Sequence, residues 1–324
     1  MFNIKTFLIF FYITNFLISE TLAGYIFISN EGSDNITVIN LETYEIISNI
    51  DGGKRPRDMK VIADKNQLLV AASEDDRINI IDTKSYKIVG HIETGDDPEI
   101  FDISPDGKII VVSNEDDNEA TIIDSSTGKI IRVVEDVGIE PEGVTFSPDG
   151  TLVYITSEGT NTVIIIDPWK GEIIKEILVG NRPRRGAFVK SGKEYWVTNE
   201  LGGSVSVIDT SNYEVIDEIK FFIRGIRDSE ITPVDFAISH NQEFAYITLG
   251  RSKHVAVVDI NTHEVKDYIL AGARVWGAAI TKDDKILIVT NGNNDNISII
   301  DTKKNAAIKS IAVGRTPHTV RIIE

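Results

Sequence analysis

Short apolar runs rich in Val, Ile, Tyr and Phe recur along almost the whole chain. They are broken by turn-forming clusters such as Ser104-Pro105-Asp106-Gly107, Ser147-Pro148-Asp149-Gly150 and Lys190-Ser191-Gly192. Such runs are strand signals, and no 3.6-residue hydrophobic period competes with them. One phrase recurs seven times: ITVINLE from Ile36, INIIDTK from Ile78, ATIIDSS from Ala120, VIIIDPW from Val163, VSVIDTS from Val205, VAVVDIN from Val255 and ISIIDTK from Ile297. Its polar anchors, Asn40, Asp82, Asp124, Asp167, Asp209, Asp259 and Asp301, are spaced by 42, 42, 43, 42, 50 and 42 residues. A period of this size marks a repeat architecture.

Each repeat holds four strand signals. In the second they fall at 58–62, 67–72, 77–82 and 86–92. Four antiparallel strands repeated radially make a propeller blade, so the expected fold is an all-β, seven-bladed propeller. We name the strands a to d from the axis outward. The chain enters its first repeat at a strand b, Tyr25–Asn30, and ends on a strand a at 319–324. The last strand is therefore expected to complete the first blade and close the ring, leaving no large open edge. The anchoring Asp after strand c is expected to cap the turn into strand d. Gly143, Gly186 and Gly277, near the starts of strands a, suit close backbone approach at the axis. Between Ile219 and Phe236 about eight extra residues interrupt the period, in the stretch FFIRGIRDSEITP.

The first 23 residues break the pattern. Lys5, an apolar run over 7–18 and Thr21-Leu22-Ala23 read as a secretory signal peptide cleaved after Ala23, leaving one propeller domain over 24–324. The alternative is a retained anchor, but the run is shorter than the roughly 18–20 residues a spanning helix needs. Export places the protein in the periplasm, with no stable membrane insertion expected after cleavage. There is no cysteine, which excludes disulfides, thiolate metal sites and thiol nucleophiles. The net charge of −17 disfavours nucleic acid and anionic lipid.

Antiparallel pairing puts the d-to-a connections and the b–c hairpins on one face. The residue nearest the axis there is Arg57, Glu99, Glu142, Arg184, Val234, Trp276 or His318, in the same register as the anchors. A scaffold repeat that varies this strongly in charge points to a funnel site. Arg55, Arg182, Arg274 and Arg315 stand just outside it. The expected ligand is a small planar anion, with guanidinium groups on its carboxylates and Trp276 against its face. Glu99 and Glu142 are the candidates for a hard cation. The competing expectation is that these charges pair with one another around a water-filled channel. Glu31, Glu74, Glu115, Glu158 and Glu200, one per b–c hairpin, form an acidic ring. It suits a cationic partner or, more simply, solvated turns.

Trp196-Val197-Thr198-Asn199, Ile288-Val289-Thr290-Asn291 and Val207-Ile208-Asp209-Thr210 resemble the YVTN-type β-propeller family. Arg182-Pro183-Arg184, Glu140-Pro141-Glu142-Gly143, the insertion with Arg227-Asp228 and Pro233, and Arg274-Val275-Trp276 look like the exported propellers associated with PQQ-dependent catabolism. That likeness covers the mature chain and implies an accessory role beside a quinoprotein dehydrogenase or cytochrome c, with no established catalytic residues to carry over. His318 stands where such proteins more usually carry an aromatic. The likeness suggests PQQ, with Ca²⁺ or a lanthanide, as the ligand of Arg57, Arg184, Arg274, Trp276, Glu99 and Glu142. The alternatives are a propeller lactonase or hydrolase with a metal in the funnel, and a periplasmic metal carrier. No nucleophile–His–acid motif supports the hydrolase, and only His254 and His318 of the five histidines are placed to reach the funnel face.

Overall fold

The computed structural model describes residues 24–324, so the signal-peptide reading of residues 1–23 lies outside the described residues. Seven four-stranded antiparallel sheets form the ring. Blade 2 is Pro56–Ile62, Gln67–Ala72, Arg77–Asp82 and Lys87–Glu93, which extends the expected strand a at its start and moves strand d by one residue. Blade 1 joins the last strand, Pro317–Ile323, to Tyr25–Asn30, Asn35–Asn40 and Ile46–Asp51. The ring is closed as expected, and the closing strand begins two residues earlier than the sequence suggested.

The strand pattern explains the core. Strands b and c are buried on both faces, as in Ile109–Asn114 and Thr162–Asp167. Strand d keeps one buried residue, Ile50, Ile92, Val134, Ile177, Ile219, Ile269 and Ile311 in successive blades. The buried apolar residues gather in seven clusters, each drawn from two neighbouring blades. Each sheet thus buries its two faces against its neighbours, and no blade has a core of its own.

Local chemistry ends each strand c as expected. The Asp82 carboxylate accepts from the backbone N–H of Lys84 and Ser85, and Asp124, Asp167, Asp209, Asp259 and Asp301 accept from equivalent amides. Asn40 does the same with a neutral side chain. The long connection from blade 5 to blade 6 runs irregularly apart from a turn of 3₁₀ helix at Asp228–Glu230. It lies on the funnel face and sends Phe221, Ile223 and Ile231 into the cluster between the two blades. Among the described residues no helix is long and apolar enough to cross a membrane.

Candidate functional site

Three local devices aim side chains at the axis. Most strands a begin with proline, and the a–b ladder shifts register just inside that start, between Pro141 and Val144, Pro183 and Gly186, and Val275 and Ala278. Such bulges re-aim side chains and free backbone groups. A hydroxyl near the end of strand b takes up the freed N–H: Thr156 Oγ1 accepts from Gly143 at 2.8 Å, Thr198 from Arg185 at 3.1 Å and Thr290 from Gly277 at 2.8 Å. The same hydroxyls donate to strand a of the next blade. Around the ring, Ser29, Ser73, Ser113, Thr156, Thr198, Thr248 and Thr290 donate to the carbonyls of Arg57, Pro98, Glu142, Arg184, Val234, Trp276 and His318. Six of these seven acceptors are residues picked out by the repeat register. A side chain at Gly143 or Gly277 would strike the carbonyl of Arg184 or His318 across this seam, which explains both glycines.

The rim is fixed by backbone conformation. Arg55, Asp97, Glu140, Arg182, Arg274 and Thr316, at equivalent places, all have positive φ between 42° and 58°. Non-glycine residues adopt that region at a cost and are held there by their surroundings. Asp34, Asp76, Asn118, Asn161 and Asp295 of the preceding hairpins accept the N–H of Arg55, Asp97, Glu140, Arg182 and Thr316.

Arg57, Glu99, Glu142, Arg184, Arg274, Trp276 and His318 do come together on the funnel face, but they divide into two arcs. On the first, Arg57 pairs with Glu99, with Glu31 at 3.1 Å and with Glu142 at 3.8 Å. Arg184 pairs with Glu158, with Glu142 at 3.1 Å and with Glu200 at 3.8 Å. Arg55 adds Glu31 at 3.1 Å and Asp97 at 3.3 Å, and Arg182 adds Glu158 at 2.7 Å. Both buried arginines therefore pair with carboxylates of the protein through their terminal nitrogens. Each Nε lacks a hydrogen-bond partner, and both side chains line the funnel cavity. The charges pair with one another, as the competing expectation held. Arg57 reaches both Glu99 and Glu142, so a guanidinium bridges the two carboxylates that had been read as a cation site. The hairpin acids are not simply solvated turns either: Glu158 and Glu200 are buried in this network.

Burial pushes the Glu99 carboxyl well up, and Glu142 and Glu115 add to the effect beyond what Arg57 offsets. Burial also opposes ionisation of Glu142, but Arg184, Arg57 and Arg185 outweigh it and hold Glu142 below the usual carboxylate range. Adjacent carboxyl groups thus take opposite protonation tendencies.

The second arc is different. A cavity of about 580 Å³ opens on the funnel face, and Arg274, Trp276 and His318 form one wall. Glu99 and Glu142 lie outside the lining. The Arg274 guanidinium lies 4.2 Å from the Trp276 ring centre and that of Arg184 lies 5.1 Å from it. Guanidinium groups therefore already cover Trp276, which was expected to stack on a ligand. Unlike Arg57 and Arg184, Arg274 has no carboxylate of the described residues at ion-pair distance. Burial lowers its pKa, Glu200 offsets part of this, and Arg184 and Arg251 reinforce the lowering. The buried Trp276 Nε1 has no acceptor, and the buried His318 Nε2 has no partner. Burial, then Arg57, Arg185 and Arg184, push the His318 pKa well below its usual value, so the imidazole is neutral at neutral pH. The facing part of the lining carries Glu31, Glu74 and Glu115.

The hydroxyl ring went unrecognised in the sequence although its signal was present, as the Ser or Thr near the end of every strand b. A cluster of Asp97, Glu99 and Glu115, with carboxylate oxygens within 4.8 Å of one another, was also missed, because Asp97 lies two residues before the aligned register position. His254 donates its Nδ1–H to the Ser252 carbonyl at 2.6 Å and is not part of the cavity wall.

The family model of the YNCE-like β-propellers matches residues 69–268. The chain belongs to this family. No curated protein matches the sequence. Among solved structures, this YNCE-like propeller is similar to the Kuenenia stuttgartiensis hydrazine synthase, with a TM-score of 0.76 and 20% identity over 85% of this chain and 92% of that one. A functionally unknown protein from Desulfotomaculum acetoxidans DSM 771 has a TM-score of 0.79 and 18% identity over 93% and 99% of the two chains. A candidate 6-phosphogluconolactonase from Bacteroides fragilis NCTC 9343 has a TM-score of 0.77 and 20% identity over 94% and 99%. At these identities the likeness is one of fold, and function has to be argued from the site.

Proposed function

We propose that this YNCE-like propeller is an exported periplasmic binding protein that takes a small carboxylate-bearing ligand on its funnel face. The observation that carries this is the donor arc: Arg274 without a carboxylate at ion-pair distance and the buried Trp276 N–H without an acceptor, beside the unpartnered Nε2 of a neutral His318, on the wall of one cavity. An indole N–H can only donate, and a guanidinium offers a planar fork that matches a carboxylate. Unpaired buried donors cost free energy that an incoming acceptor would recover. The link to PQQ-dependent alcohol oxidation, with a quinoprotein dehydrogenase or cytochrome c as partner, rests on the sequence likeness. If PQQ is the ligand, Arg274 is the arginine free to receive one of its carboxylates. The test is a tryptophan-fluorescence titration with PQQ, with and without Ca²⁺, beside simple monocarboxylates. Saturable binding that Arg274→Met abolishes supports the reading. Absence of binding by every carboxylate, or binding unaffected by Arg274→Met, overturns it.

A second reading, a metal-dependent lactonase or a metal carrier, is favoured by the Asp97, Glu99 and Glu115 cluster, whose oxygens suit a hard cation. Asp97 and Glu99 also serve Arg55 and Arg57, so a cation would compete with existing ion pairs. A lactone screen and Ca²⁺ calorimetry with Glu115→Gln as control test this reading. No turnover and no metal binding would remove it.

A further inference from the structure

The charged side chains of the cavity that lack an ion-pair partner are separated by sign, with the cation Arg274 beside two uncharged ring nitrogens and the acids facing them. On one wall stand Arg274, Trp276 Nε1 and His318 Nε2. Arg274 precedes strand a of blade 7. The acids that line the cavity without an arginine partner are Glu74 and Glu115, in the b–c hairpins of blades 2 and 3. Blade 3 is three positions from blade 7 in a ring of seven, so Glu115 faces the donor arc from across the axis. Between them Arg57, Glu99, Glu142 and Arg184 form a network whose charges are already paired with one another. Glu115 is only partly buried and Glu74 is exposed, so both can meet a ligand.

We infer that the funnel ligand is an amino-carboxylate: its carboxylate on the Arg274 and Trp276 wall, its ammonium group on Glu115 and Glu74. This rests on the carboxylate-binding reading above and adds the cationic end. A plain carboxylate would fill the donor wall and leave the facing acids unused. Burial, with Glu142 next, raises the Glu115 pKa beyond what Glu99 and Arg57 offset, so the carboxyl gains from a cation placed beside it. An ammonium supplies that cation with three donors on a point charge. A dipolar ligand also suits a protein whose net charge of −17 would repel a simple anion from the mouth of the funnel.

The test uses the mature chain in the presence of a chelator, so that no divalent ion competes for the acids. Glycine, 4-aminobutanoate and 6-aminohexanoate are titrated by calorimetry against acetate, butanoate, hexanoate and the matching alkylamines. The expected result is one chain length at which the amino-carboxylate binds at least about tenfold tighter than either half-ligand, the effect of one added charge-assisted hydrogen bond. Glu115→Gln, alone or with Glu74→Gln, should erase that preference and leave carboxylate binding intact. Arg274→Met should abolish both, with circular dichroism confirming that each variant folds. If carboxylates bind as tightly as amino-carboxylates at every length, the inference falls and the carboxylate reading stands. Retention of the preference by the double glutamine variant also overturns it. If neither series binds, both readings fall.

Discussion

At the scale of single residues, the funnel floor is held by ions and hydroxyls that are largely shielded from bulk water. Arg184 neutralises Glu142 and Glu158, both buried. Removing one partner strands the other, so Arg184→Ala should cost about 3–5 kcal/mol in urea unfolding. The hydroxyl seam is weaker per bond. Thr290→Val leaves the buried His318 carbonyl and the Gly277 N–H without their partner, an expected loss of about 1–3 kcal/mol. His318 gives a signature in pH. Its folded pKa lies well below that of the unfolded chain, so its contribution is complete above about pH 6.5 and is lost as pH falls. His318→Leu should flatten that part of the stability profile, measured as Tm against pH.

At the scale of elements, each blade is a short sheet with a polar outer edge and a buried middle, and its turns are specified locally. Asp82, Asp124 and their equivalents accept amides within three residues of themselves, so their role could be read without tertiary structure. The insertion over 221–233 could be located by its break in the period but not understood. Its sequence alternates residues with opposite fates: Phe221 and Ile231 are buried between blades 5 and 6, whereas Phe222 is 74% exposed. Ile231→Ala should therefore destabilise by about 2–5 kcal/mol. Phe222→Ser should change stability by no more than about 0.5 kcal/mol in the same denaturation experiment. An insertion that merely looped into solvent would show neither asymmetry.

At the scale of the whole molecule, stability depends on closing the ring. The last strand pairs with Tyr25–Asn30, and Arg321 crosses to blade 2, with Nη2 2.6 Å from Asp58 Oδ1 and Nε donating to the Met59 carbonyl at 2.6 Å. Burial raises the Asp58 pKa, but Arg321, Lys60 and Arg185 outweigh it and hold the carboxyl below its usual range. A depressed carboxyl contributes fully above its unfolded value, about pH 4, and loses that contribution as pH falls through the folded one. Arg321→Met should lower Tm at neutral pH and reduce the further loss on acidification. Deleting residues 317–324 should destabilise every blade in one cooperative step, because each sheet has its core only against its neighbours. Independent melting of blade 1 alone in that truncation would contradict closure.

The chain alone determined the number of blades, the four-strand unit, the phase that closes the ring and the register that brings Arg57, Glu142, Trp276 and His318 to one face. These follow from period and alternation, which are properties of the sequence line. It could not determine which of those charges remain available to a ligand. Arg57, Arg184 and Arg274 look alike in sequence, but two are ion-paired with acids, chiefly from neighbouring blades, and the third rests on Trp276. That distinction is made by distances between residues far apart along the chain, set only when seven sheets meet around an axis. Circular geometry also decided which acids face the donor arc, since opposition across a ring depends on angular position and leaves no trace in spacing along the chain.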